Sequence, residues 1–224
     1  MQKADSSSLF DELDAALQSG SSEKRLGMLR QVTDLFLNEA DRLSEEQIGV
    51  FDLVLVQLIE RIETRTLAEI SERLAAVANA PIDLTLSLAG HSEIEIARPI
   101  LKNSSRLTTP DLVKIAKTHS ASHLLAISER AQIETTITDV LLDRGDQAVV
   151  RSVAGNTGAQ FSENGFAALL KAAETDDTLA EKTGLRLDLP TNVLRQLLLK
   201  ASEAVRCRLL PRIPPEFQDR CAER

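Results

Sequence analysis

The chain has 224 residues, 43% of them hydrophobic, and a formal charge of −8 from 26 Lys and Arg against 34 Asp and Glu. Phosphate backbones are bound by counterion release to clustered cations, and bases by stacking on aromatic rings; an acidic chain without Trp or Tyr is therefore not expected to bind nucleic acid. Its two cysteines, Cys207 and Cys221, have no CxxC spacing and point to neither a disulfide framework nor a zinc finger.

The acidity is concentrated at the start: residues 1–70 hold 7 Lys and Arg against 14 Asp and Glu. No apolar run approaches the roughly 18 residues that span a bilayer, and the polar opening MQKADSSS lacks a signal-peptide core. A cytoplasmic protein without a membrane partner is the expectation.

Residues 1–8 form a Ser-rich leader. A first helix is predicted from Leu9 to Gln18, stopped by Gly20 at a favoured C′ position, and a second from about Glu23 to Glu39. Ser44 opens a third, with Gln47 three residues later completing a capping box. In that helix Val50, Phe51, Leu53, Val54, Leu55, Leu58, Ile59 and Ile62 cover more than one face. So wide an apolar arc is either buried between layers of the monomer or packed on a partner, including a second copy that joins through these N-terminal helices.

From Thr66 the pattern becomes periodic. Apolar triplets at i, i+3, i+4 recur as Leu84/Ser87/Leu88, Leu112/Ile115/Ala116, Ile137/Val140/Leu141, Phe166/Leu169/Leu170 and Leu194/Leu197/Leu198, at steps of 28, 25, 29 and 28 residues. Such a step holds two short helices and two turns. Corners fall at Asn79-Ala80-Pro81, Asn103-Ser104, Gln132, Asn156-Thr157-Gly158 and Thr183-Gly184, where Asn and Gly tolerate the conformation that closes a helix. Helix starts follow at Thr109-Pro110-Asp111, Ser162-Glu163 and Leu189-Pro190. Further turns are predicted at His91-Ser92, His119-Ser120, Gly145-Asp146 and Asp176-Asp177, with Ser92 and Glu95 as another capping box. After about Arg206 the period is lost, and Pro211, Pro214 and Pro215 break any helix.

The expected fold is all-α: an N-terminal helical segment over residues 1–65, then an array of short HEAT-like helical hairpins over 66–205 forming a right-handed α-α superhelix, then a tail over 206–224. No single hairpin can bury its own apolar face, so stacked neighbours supply the core.

Several strings in this order resemble a bacterial family known as domain of unknown function 2336. They are EIARPIL at Glu95–Leu101, LTTPDLVKIA at Leu107–Ala116, HLLAI at His123–Ile127, LDRGD at Leu142–Asp146, NTGAQFSENGF at Asn156–Phe166 and DLP at Asp188–Pro190, with Glu46-Gln47 and Phe51-Asp52 earlier. The similarity spans roughly residues 36–208. It implies a HEAT-like or armadillo-like helical fold and brings no activity with it.

The chemistry-bearing side chains are few. His119 and His123 stand at i, i+4, a spacing that binds metal when both lie on one continuous helix; here Ser120-Ala121-Ser122 is read as a turn, which puts them on different helices. His91 and His119 each follow an apolar triplet at a helix end, where they meet carbonyls left open by the last turn. Arg98 and Arg151 each precede a corner asparagine, Asn103 or Asn156, by five residues. They could form a ladder that clamps a partner's carboxylate or phosphate, or bond loop carbonyls or an acid such as Asp111, Asp143, Asp146 or Asp188. Gly155, Gly158 and Gly165 lack the Lys-Ser/Thr ending of a phosphate loop and fit helix caps. Glu45-Glu46 and Asp176-Asp177 are read as solvated acids at helix starts. With no GxSxG elbow, no catalytic residue, metal or cofactor is assigned.

The function expected is a non-enzymatic scaffold for a protein or peptide partner, with Arg98, Arg151, His119 and His123 as candidate contact residues. The alternatives are a small-ligand sensor or enzyme that gathers those four side chains in a concave face, and a DNA-binding HEAT-like protein.

Overall fold

The computed structural model describes residues 22–60 and 62–212. Among the described residues the chain is all-α, with thirteen α-helices, two 3₁₀ turns and no strand. The helix expected over Leu9–Gln18 and the prolines Pro214 and Pro215 lie outside the described residues. The helices are α1 (Ser22–Glu39), α2 (Glu45–Leu58), α3 (Thr64–Ala75), α4 (Ile82–Ala89), α5 (Ile94–Asn103), α6 (Thr109–Thr118), α7 (Ala121–Ser128), α8 (Thr135–Arg144), α9 (Gln147–Gly155), α10 (Glu163–Ala173), α11 (Asp177–Gly184), α12 (Thr191–Lys200) and α13 (Glu203–Leu209). They divide into two compact units that meet in sequence at Thr108 and Thr109.

In the first unit α1 packs on α2, α2 on α4, and α3 on α5. Phe36 of α1 meets Phe51 of α2 edge to face, ring centroids 5.5 Å apart, a geometry that sets a positive ring edge against a negative face. Leu29, Leu55, Leu58, Ile70, Leu74, Leu84 and Leu88 are fully buried in this unit, each contributing about 2 kcal/mol by leaving water. Ser44 and Gln47 form the expected reciprocal capping box on α2.

The heads of α4 and α5 depart from simple local capping. At the head of α4 the cap position is Pro81, which supplies no side-chain bond; the buried carboxylate of Asp52 on α2 accepts from the Asp83 and Leu84 N–H groups, both at 2.8 Å. The Ser92–Glu95 box does not form. Helix α5 starts at Ile94 with Glu93 at the cap position, so Ser92 falls one residue too early. The Glu93 N–H instead donates to His91 Nδ1 at 3.1 Å.

In the second unit alternate helices pack in order: α6 on α8, α8 on α10, α10 on α12, and separately α7 on α9, α9 on α11, α11 on α13. Helices consecutive in the chain touch across the two rows, as α6 with α7, α8 with α9 and α10 with α11. The apolar triplets occupy every second helix from α4 to α12. Phe166, Leu169 and Leu170 are buried with Leu179, Leu197, Leu198, Val205 and Leu209 in one cluster. Helical structure continues past Arg206 to Leu209 and, through Pro211, in a 3₁₀ turn to Arg212: Val205 and Leu209 retain four-residue spacing and bury their side chains. The turn at His119-Ser120 is shorter than expected, because Ala121 already begins α7.

Candidate functional site

Of the polar side chains that sequence spacing singles out, Arg151 and Asn156 join one hairpin to the next, whereas the histidines make contacts close by in the chain. Arg151 projects from α9 toward the head of α11. Its Nε donates to Asp176 Oδ2 at 2.7 Å and its Nη2 to Oδ1 at 2.9 Å. Asp176 is the N-cap of α11, accepting from the Leu179 N–H at 3.1 Å, and also accepts from Gln147 Nε2 at 3.0 Å. The Arg151 bond is the main reason its carboxyl is held down to about 2, against the opposing effect of burial; the Leu179 and Gln147 bonds add to the lowering. The same bond raises the Arg151 guanidinium. The partner acid is thus neither Asp146 nor Asp188 but Asp176, which is buried rather than solvated.

Asn156 works in the same way at the next corner. Its Nδ2 donates to the Ser128 and Arg130 carbonyls, and its Oδ1 accepts from the Gly158 N–H. The chain then runs alongside Ile133, with Ile133 N–H donating to Gly158 O at 3.1 Å and Gln160 N–H to Ile133 O at 2.9 Å. A Cβ on Gly158 would stand 1.8 Å from the Ala131 carbonyl oxygen, which explains glycine there on closeness of approach alone.

Arg186, unremarked in the sequence, is the most heavily engaged corner residue. Its side chain is buried. It donates to the carbonyls of Ala154, Asn156 and Ala159 and pairs with Asp188 through two nitrogens. Its guanidinium carbon lies 4.5 Å from the centroid of the Phe161 ring, a favourable cation–π placement. Arg144 likewise reaches back to the Ala116 carbonyl. The sequence signal for this set is an arginine or asparagine closing each hairpin some 26–32 residues after the carbonyl it binds.

The two histidines come together. His119 follows α6 and His123 lies in α7, so no continuous helix carries both. Their rings stand 5.0 Å apart between centroids, tilted by 48°. His119 Nδ1 contacts the Thr118 hydroxyl and His123 Nδ1 the Ser120 hydroxyl, each at 2.8 Å. His123 is buried. No group of three or more His, Cys, Asp or Glu side chains among the described residues is placed to hold a metal ion. Arg98 belongs to the first unit, on the exposed side of α5, and Arg151 to the second.

The wide apolar arc of α2 resolves into two faces. Ile48, Leu55 and Leu58 are buried with Asp52, whereas Val50 is 53% and Leu53 69% exposed. Leu35 of α1 is also exposed, at 43%. No helix among the described residues is long and apolar enough to cross a membrane.

A family model described as "Uncharacterised protein conserved in bacteria (DUF2336)" matches residues 96–220. No curated protein and no solved structure matches the chain.

Proposed function

The chain belongs to the bacterial DUF2336 family of uncharacterised proteins, and from that premise we propose that it is a non-enzymatic interaction module that holds a protein or peptide partner, in bacterial signalling. On this proposal the second unit is a HEAT-like array of short helical hairpins, part of a right-handed α-α superhelix. The observation that supports it is the packing of α6, α8, α10 and α12 in one ordered row and α7, α9, α11 and α13 in another. Arrays of this kind offer long surfaces built from equivalent positions of successive hairpins, and partner binding is their common use. The warrant is architectural, since fold alone does not carry function.

The corner chemistry favours the same reading over a reaction centre. Catalysis needs polar side chains free to converge on a bound substrate. Here Arg151, Asn156, Arg144 and Arg186 bind a carboxylate or backbone carbonyls of adjoining hairpins. The test is affinity purification from a bacterial host with the full chain as bait and in-cell cross-linking. Reproducible recovery of a specific protein is the expected result; recovery of none over repeated growth conditions overturns the proposal.

A further inference from the structure

We propose that the outward face of α2 docks an amphipathic helix of another protein, one that carries Lys or Arg beside its apolar stripe; this rests on the interaction-module reading above. Helix α2 turns Ile48, Asp52, Leu55 and Leu58 inward. On its opposite side, at steps of one to four residues, stand Glu46, Gly49, Val50, Leu53 and Gln57, with Glu60 just beyond the helix end, all exposed. Single exposed leucines are ordinary, but Val50 and Leu53 lie at i, i+3 on one face, which makes them neighbours there.

Gly49 is a second, independent mark of the same face. Glycine inside a helix weakens it, and a Cβ added at Gly49 would meet nothing within 4 Å, so packing within the chain does not require it. What its missing side chain does permit is close approach of another helix to the α2 backbone.

Charge selects the occupant. Helix α2 contains no Lys or Arg and begins with Glu45 and Glu46, within a stretch where acids outnumber bases two to one. Glu45 stands 3.7 Å from Arg106, and at the far end Arg25 donates to the Glu60 carbonyl. The acidic pull is therefore strongest at Glu46, and the partner's cations belong at that end, with its apolar anchors over Val50 and Leu53. Complementary charge around an apolar strip orients a helix in its groove and rejects like-charged competitors. A second copy of the chain would set acids against acids.

The test uses the full chain and a labelled synthetic helix bearing a leucine stripe and lysine flanks, followed by fluorescence anisotropy, with a glutamate-flanked version as control. The lysine helix is expected to bind at least about tenfold more tightly than the glutamate one. Leu53→Glu, Glu46→Lys and Gly49→Leu are each expected to weaken binding about tenfold while the circular dichroism spectrum is unchanged. Equal affinity for the two helices, no binding, or full affinity in Leu53→Glu overturns the proposal. So does a concentration-dependent dimer in sedimentation that Leu53→Glu abolishes, because that puts a second copy on the face. A cellular partner captured equally by wild type and Leu53→Glu sinks this inference and leaves the interaction module standing; the absence of any partner sinks the module itself.

Discussion

Arg151 and Asp176 form a two-pronged ion pair between α9 and the head of α11, with N–O distances of 2.7 and 2.9 Å, and the same carboxylate caps the helix it begins. One side chain thus closes a helix end and ties two hairpins together. Because the pairing holds the Asp176 carboxyl at about 2, below its unfolded value near 3.9, the folded chain binds fewer protons there than the unfolded one. Its contribution is complete above about pH 4 and is lost as pH falls through about 2. Chemical denaturation of wild type and Asp176→Asn is expected to show a steeper loss of stability for wild type between pH 4 and 2, and parallel behaviour from pH 5 to 7. Identical pH profiles would remove the ion pair from the account. At neutral pH, Asp176→Ala is expected to cost about 2 kcal/mol, from the lost cap and the lost charge-assisted bonds.

Asp52 poses the same question without an ion pair. It accepts the N–H groups of Asp83 and Leu84 where Pro81 offers no cap of its own. Alanine there leaves two amides without their acceptor in a buried setting, and the expected loss is about 2–3 kcal/mol. Asparagine keeps one acceptor oxygen and is expected to lose about half as much. Urea denaturation of both variants measures the difference; equal midpoints for wild type and Asp52→Ala would show that α4 needs no cap from α2.

The legible part of the fold was its apolar rhythm. Leu112, Ile115 and Ala116, and Phe166, Leu169 and Leu170, are buried as their spacing predicts, because which side of a helix is apolar is a local property of the sequence. The Ser44–Gln47 box was legible for the same reason: donor and acceptor sit three residues apart. The bonds of Asp52 to α4, of Asp176 to Arg151 and of Arg186 to the Ala154 carbonyl were not, since those partners lie 25–32 residues away on other helices and an acid or arginine in isolation looks solvated. The arc on α2 shows the limit most clearly. Sequence reveals that Val50, Leu53, Leu55 and Leu58 are all apolar, but only packing decides that Leu55 and Leu58 are covered while Val50 and Leu53 are not.

The histidine pair allows a direct check on metal binding. Rings 5.0 Å apart are close enough to share an ion, yet both Nδ1 atoms are in contact with hydroxyls, and no third donor completes a group among the described residues. Structural zinc is held by four ligands and catalytic zinc by three. Titration of zinc into the full chain by calorimetry is therefore expected to give no heat that disappears in His119→Ala. Saturable binding lost in both His119→Ala and His123→Ala would establish a metal site at this corner.

Glycine substitutions should split by sign, and the split follows from what an added Cβ meets. At Gly158 it would stand 1.8 Å from the Ala131 carbonyl oxygen, a backbone atom that cannot swing aside as a flexible side chain can. Gly158→Ala must push apart the two segments joined through the Ile133 N–H and Gly158 O, at a cost of about 3 kcal/mol. At Gly27 and Gly49 an added Cβ meets nothing within 4 Å, and both lie inside helices, α1 and α2. There alanine removes backbone freedom from the unfolded chain without new contacts, and each substitution is expected to stabilise by about 0.5–1 kcal/mol. Thermal melts of the three single variants decide the matter. A lowered melting temperature in Gly49→Ala would mean that the open face of α2 is already covered in the free protein, and a neutral Gly158→Ala would mean that the corner at Asn156 yields far more easily than its bonds to Ser128 and Arg130 imply.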